Sequence, residues 1–116
     1  MKIKRTYSMF FDDMLMAISR ILEYTESIDF MGFKHDYKTV DAVIRNFEII
    51  GEAVKNIPDE IKEQYPDVPW NEMSSLRNRI SHAYFGVDYE IIWDIITNHL
   101  SDNKSQIEII RKEIWH

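Results

Sequence analysis

Apolar residues recur at steps of three and four along nearly the whole chain, and the strict alternation of half-buried strands is missing. Tyr7, Phe10, Phe11, Met14, Ile18, Ile21, Leu22 and Ile28 keep this spacing, which predicts a long helix over about residues 6–28. Residues 30–36, which include Gly32, interrupt the pattern and read as a loop. Val40, Val43, Ile44, Phe47, Ile50, Val54 and Ile57 then predict a second helix of similar length. Pro58 suits the first position of a short third one, with Asp59 and Glu60 favourable against its positive N-terminal end.

Pro66 and Pro69 bracket a turn. A fourth helix is expected from near Trp70, carrying Met73, Leu76, Ile80 and Ala83 on one face, with Gly86 to end it. Asp88 is the expected N-cap of the next helix, which holds Ile91, Ile92, Ile95, Ile96 and Leu100. Ser101 or Asp102 would cap the last, with Ile107, Ile110 and Ile114 on its apolar face. Short connections favour antiparallel neighbours, so the expectation is an all-α, up-and-down bundle of four to five helices in one domain. Gly51 lies inside the second helix, where it costs about 1 kcal/mol relative to Ala. Close approach of another backbone is the first explanation, and a substrate contact the second.

Composition narrows the field. With 116 residues the chain can bury roughly two-thirds of its unfolded surface, so a core needs no staple. There are no cysteines, which excludes a disulfide framework and a thiolate zinc site. Lys2, Lys4 and Arg5 resemble the start of a signal peptide, but Asp12 and Asp13 interrupt the apolar run behind them. No run of about 18 uncharged apolar residues exists to span a membrane, and a cytoplasmic protein is expected. The net charge of −6 argues against a general nucleic-acid coat, yet leaves room for a site that grips one or two phosphates.

Against this acidic background, Arg77-Asn78-Arg79-Ile80-Ser81-His82-Ala83-Tyr84 is locally basic. Arg offers phosphate a fixed fork of donors, and His can take or give a proton near neutrality. On one regular helix Arg77 and His82 would diverge by ~140° and rise about 7.5 Å, so they would not point at a common spot. Either the Arg side chain curls round, or a second copy of the helix completes the site. A two-fold homodimer with paired motif helices, giving two Arg77 and two His82 around one cleft, is the favoured expectation.

Arg77-x4-His82-x-Tyr84 resembles the Arg-x4–6-His signature of HEPN-superfamily ribonucleases, in the form found in HepT-type toxins. Arg45-Asn46-Phe47-Glu48-Ile49-Ile50-Gly51-Glu52-Ala53, Pro69-Trp70, Gly86-Val87-Asp88 and Ile92-Trp93 are similar to that group in order and spacing. Phe47 stands where the family often has Leu, and Ser101 where a proline often stops the helix. The resemblance implies a homodimeric, metal-independent endoribonuclease toxin that needs no cofactor. It further implies an MntA-like minimal nucleotidyltransferase antitoxin that transfers AMP to the motif tyrosine, here Tyr84.

The chemistry expected is attack of a ribose 2′-OH on the neighbouring phosphate of RNA. His82 would be the general base or acid, and Arg77 would bind the phosphate and stabilise its developing charge. Asn78 would orient His82 or the phosphate, and Arg79 would bind the RNA backbone. Two other classes compete: a non-catalytic module holding a nucleotide or partner protein, or the antitoxin of such a pair. His35, His99 and His116 are scattered, so no metal site is expected. Glu48 and Glu52 share a helix face and are expected to pair with Arg45 or Lys55, or to hold Arg77. Met9, Met14 and Met16 read as core or dimer packing.

Overall fold

A computed structural model describes residues 2–82 and 86–114; the side chains of residues 2–6 and of His82 lie outside the described set. The order is α1 (Lys2–Thr25), α2 (Phe30–Lys34), α3 (Tyr37–Lys55), α4 (Asp59–Gln64), α5 (Trp70–Ser74) and α6 (Leu76–Ile80). A two-residue strand pair follows, β1 (Ser81–His82) and β2 (Gly86–Val87), and then α7 (Tyr89–Asn98) and α8 (Leu100–Ile114). The architecture is an all-α helical bundle. α1 packs chiefly on α3 and α8, α3 also carries α5 and α6, and α7 lies on α8.

The three-and-four spacing translates directly into burial. Phe11, Met14, Ile18 and Ile21 of α1 are fully buried against Val43, Phe47, Ile50 and Val54 of α3, with Ile92 and Ile107 closing the core from α7 and α8. Met14 is core as expected. Met9 and Met16, seven residues apart on the outer side of α1, are 65% and 55% exposed and take no part in it.

Segment 30–36 departs from its expected loop. Asp29 caps α2 by accepting from the Gly32 N–H at 2.8 Å, and Phe33 is fully buried with its ring 5.3 Å from that of Trp93. One capped turn is too short to register as periodicity, and burial of a single aromatic holds it in place. Asp36 then caps α3, accepting from the Thr39 N–H and hydroxyl. The Thr39 hydroxyl bond is the main reason its carboxyl sits below the usual carboxylate range. Pro58 is the residue before α4 rather than its first, and Asp88 caps α7 through the Ile91 N–H, as expected. The break between α7 and α8 falls at His99, ahead of the expected caps: the His99 N–H donates to Ile95, and its carbonyl accepts from Asn103.

Candidate nuclease site

The expected single motif helix is two helices and a strand. α5 ends at Ser74, and the reason is local. The Asn71 carbonyl accepts from the hydroxyls of Ser74 (2.9 Å) and Ser75 (2.6 Å) and from the Ser75 N–H (3.2 Å). Hydroxyls that bond back to the preceding turn compete with the helical ladder and bend it. The Ser74 carbonyl at this break lies against α3. A Cβ built on Gly51 would stand 3.1 Å from the Ser74 oxygen, so the close backbone approach expected at Gly51 is the contact with α5.

The chain restarts as α6, pinned by the buried Leu76 and Ile80. Arg77, Asn78 and Arg79 are the exposed residues between those two anchors. α6 stops where Ser81 turns extended, at φ −93° and ψ 137°, while the Ser81 hydroxyl donates back to the Arg77 carbonyl at 2.8 Å. β1 then pairs antiparallel with β2, placing Ser81 opposite Val87 and His82 opposite Gly86. The Asp88 N–H closes this pair on the Ile80 carbonyl at 2.6 Å. Gly86 has φ +90°, a backbone conformation that side-chain-bearing residues rarely adopt, so it supports the hairpin and does not end a helix.

This overturns the angular argument made for a continuous helix. Arg77 sits on α6 and His82 on a strand, so the ~140° divergence does not describe them. Tyr84, together with Ala83 of the expected helix face, lies outside the described residues, as does His116.

Arg77 finds a partner across the fold. Its Nη1 is 2.5 Å from Oε2 of Glu48 on α3, with the two side chains 56% and 38% exposed. Of the partners expected for Glu48, the structure chooses the distant Arg77 over Arg45, its neighbour on the same helix. Glu48 also lines a groove of about 390 Å³ between α1 and α3, with Phe10, Asp13, Arg45 and Glu52. His99 is paired through Nε2 with Asp94 at 3.4 Å. No group of three His, Asp or Glu among the described residues is arranged to hold a metal ion, and no helix among them is long and apolar enough to cross a membrane.

Comparison with known proteins agrees with the family resemblance. A family profile described as "Ribonuclease HepT-like" matches residues 14–110. A Methanocaldococcus jannaschii protein named as a putative RNase is 44% identical over 111 residues, covering 96% of this chain and 92% of that protein. A Thermococcus cleftensis protein named "Probable ribonuclease HepT" is 43% identical over 110 residues, covering 95% of this chain and 100% of its own length. A bacterial relative from Caldanaerobacter subterraneus, also named as a putative RNase, is 39% identical across 97% of this chain and 99% of its own. No solved structure matches the chain.

Proposed function

Because the chain belongs to the HepT-like ribonuclease family, we propose that it is a metal-independent endoribonuclease toxin whose Arg77 and His82 cut RNA through the ribose 2′-OH. The observation that carries this reading is the position of Arg77. It is an exposed guanidinium on a helical turn fixed at both ends, five residues before a histidine on the following strand.

In the proposed reaction His82 removes the 2′-OH proton. The freed oxygen attacks the adjacent phosphorus, the bond from phosphorus to the 5′-oxygen breaks, and that oxygen leaves with a proton. Arg77 binds the non-bridging oxygens and stabilises the charge they gain. Products are a 2′,3′-cyclic phosphate and a 5′-hydroxyl, and DNA, lacking the 2′-OH, is spared. A two-fold dimer sets the guanidinium of one subunit beside the imidazole of the other in one cleft, and that imidazole hands the proton it has taken to the leaving oxygen. Asn78 orients the phosphate or the imidazole, and Arg79 holds the flanking backbone; both are exposed beside Arg77.

Regulation completes the proposal. A minimal nucleotidyltransferase antitoxin of the MntA type transfers AMP to Tyr84, the tyrosine oxygen displacing pyrophosphate from ATP. The added negative charge and bulk stand two residues beyond His82 and compete with RNA phosphate for the guanidinium. The setting is the cytoplasm, where RNA and ATP are both present.

Cleavage of mixed cellular RNA in excess EDTA, by wild type and by the Arg77→Ala and His82→Ala variants, tests the core of this reading. Wild type yields 2′,3′-cyclic phosphate ends, and each variant loses about 10²–10⁴ in rate. A wild type that binds RNA without cutting it would instead make the chain a binding module.

A further inference from the structure

The contact between Glu48 and Arg77 joins a long helix to a short one. Glu48 projects from α3, a 19-residue helix anchored by the fully buried Phe47 and Ile50 on either side of it. Arg77 hangs from α6, a five-residue helix between the serine break and the hairpin. An arginine at such a position otherwise samples many rotamers, and ordering them carries an entropic cost. The ion pair ties the free end of that side chain to a helix held by its buried face.

Two effects of the carboxylate oppose each other. It is an anion, so it competes with phosphate for the guanidinium; it is also a fixed acceptor, so it orients the guanidinium. The pair is exposed, and exposed ion pairs are largely cancelled by solvation and screening. The contact engages Nη1 through one carboxylate oxygen, which leaves the Nη2 and Nε edge of the fork for phosphate. Competition is therefore weak. Orientation is not, since a catalytic group misplaced by about 1 Å can cost ~10² in rate.

We infer that Glu48 is a positioning residue for RNA cleavage, holding Arg77 by Nη1 so that its opposite edge meets the scissile phosphate. This rests on the ribonuclease reading above. Glu48 touches neither substrate nor the reacting atoms, and acts through Arg77 alone.

The test uses the full chain with Glu48→Ala and Glu48→Gln. The amide of Glu48→Gln keeps an acceptor for Nη1 and loses the charge. Glu48→Ala is expected to lower kcat by about 10–100-fold, with KM changed less than about threefold. Glu48→Gln is expected to recover much of the loss. Cleavage by Glu48→Ala as fast as wild type, or faster, would overturn the inference, as would a loss confined to KM. A second measurement needs no catalysis: relaxation of the Arg77 Nε–H in 15N-labelled protein, assigned by its disappearance in Arg77→Lys. The signal is restricted in wild type and mobile in Glu48→Ala if the inference holds, and equally mobile in both if it does not. Wild type that fails to cut RNA while Arg77 remains restricted would sink the nuclease reading and leave the orienting contact standing.

Discussion

Gly51 and Ser74 meet backbone to backbone: a Cβ on the glycine would come within 3.1 Å of the serine carbonyl oxygen. The neighbour is main chain and cannot swing aside as a flexible side chain would. This contact seats the end of α5, and with it the start of α6, on the middle of α3. Replacing Gly51 with Leu gains about 1 kcal/mol of helix propensity, but forces α5 outward at an overpacking cost of about 1–3 kcal/mol. The expected result is net destabilisation in urea unfolding, with cleavage falling further than stability does because Arg77 moves with α6.

Sharing of the site between subunits has a direct test. Arg77→Ala and His82→Ala, each inactive alone, are mixed, unfolded and refolded together. A cleft drawing guanidinium from one subunit and imidazole from the other regains measurable cleavage in the mixed dimer. Absence of recovery, with mixed dimers demonstrated by mass, would mean that each chain works alone.

Tyr84 is the expected acceptor of AMP. Incubation with the proposed nucleotidyltransferase antitoxin and ATP should add AMP mass to wild type and none to Tyr84→Phe, with loss of RNA cleavage in the modified protein only. Intact-protein mass spectrometry reads the first outcome, and the EDTA nuclease assay the second. Modification of the Phe variant would move the acceptor elsewhere.

Asn46 is 5% exposed on α3; its Nδ2 donates to the Ala42 carbonyl at 2.8 Å, while its Oδ1 has no hydrogen-bond partner among the described residues. An unsatisfied buried acceptor carries a desolvation cost of about 1–3 kcal/mol. Asn46→Leu, close in volume, is expected to raise stability by ~1 kcal/mol, visible as a melting temperature several degrees higher. A lowered melting temperature would show that the amide is needed.

Tyr65 ties the segment after α4 to α8 by donating its hydroxyl to Glu113 Oε1 at 2.8 Å. Burial first, then the Glu113 hydrogen bond and charge, raise its pKa above the ordinary 10.0. The fold thus favours the neutral phenol. Its contribution is fully present below the unfolded pKa and is lost as pH rises through the folded one. Above pH about 10, wild type should lose melting temperature more steeply than Tyr65→Phe; parallel slopes would rule the linkage out.

The helical class, the core faces of α1, α3, α7 and α8, and the Asp88 cap were legible in residue order alone, because period and capping are local properties of a chain. So was the motif, since Arg77, His82 and Tyr84 are defined by spacing. The break inside the expected motif helix was not. Its apolar face, Met73, Leu76 and Ile80, keeps helical spacing across the bend, so periodicity carries no trace of two serines competing for the Asn71 carbonyl. The α2 turn escaped for a related reason: five residues held by the Asp29 cap and one buried ring leave too short a pattern to read. Tertiary structure alone decided that Glu48 serves Arg77, 29 residues away, and not Arg45 beside it. Local spacing permits several partners for a carboxylate, and only the docking of one helix on another determines which guanidinium arrives within reach.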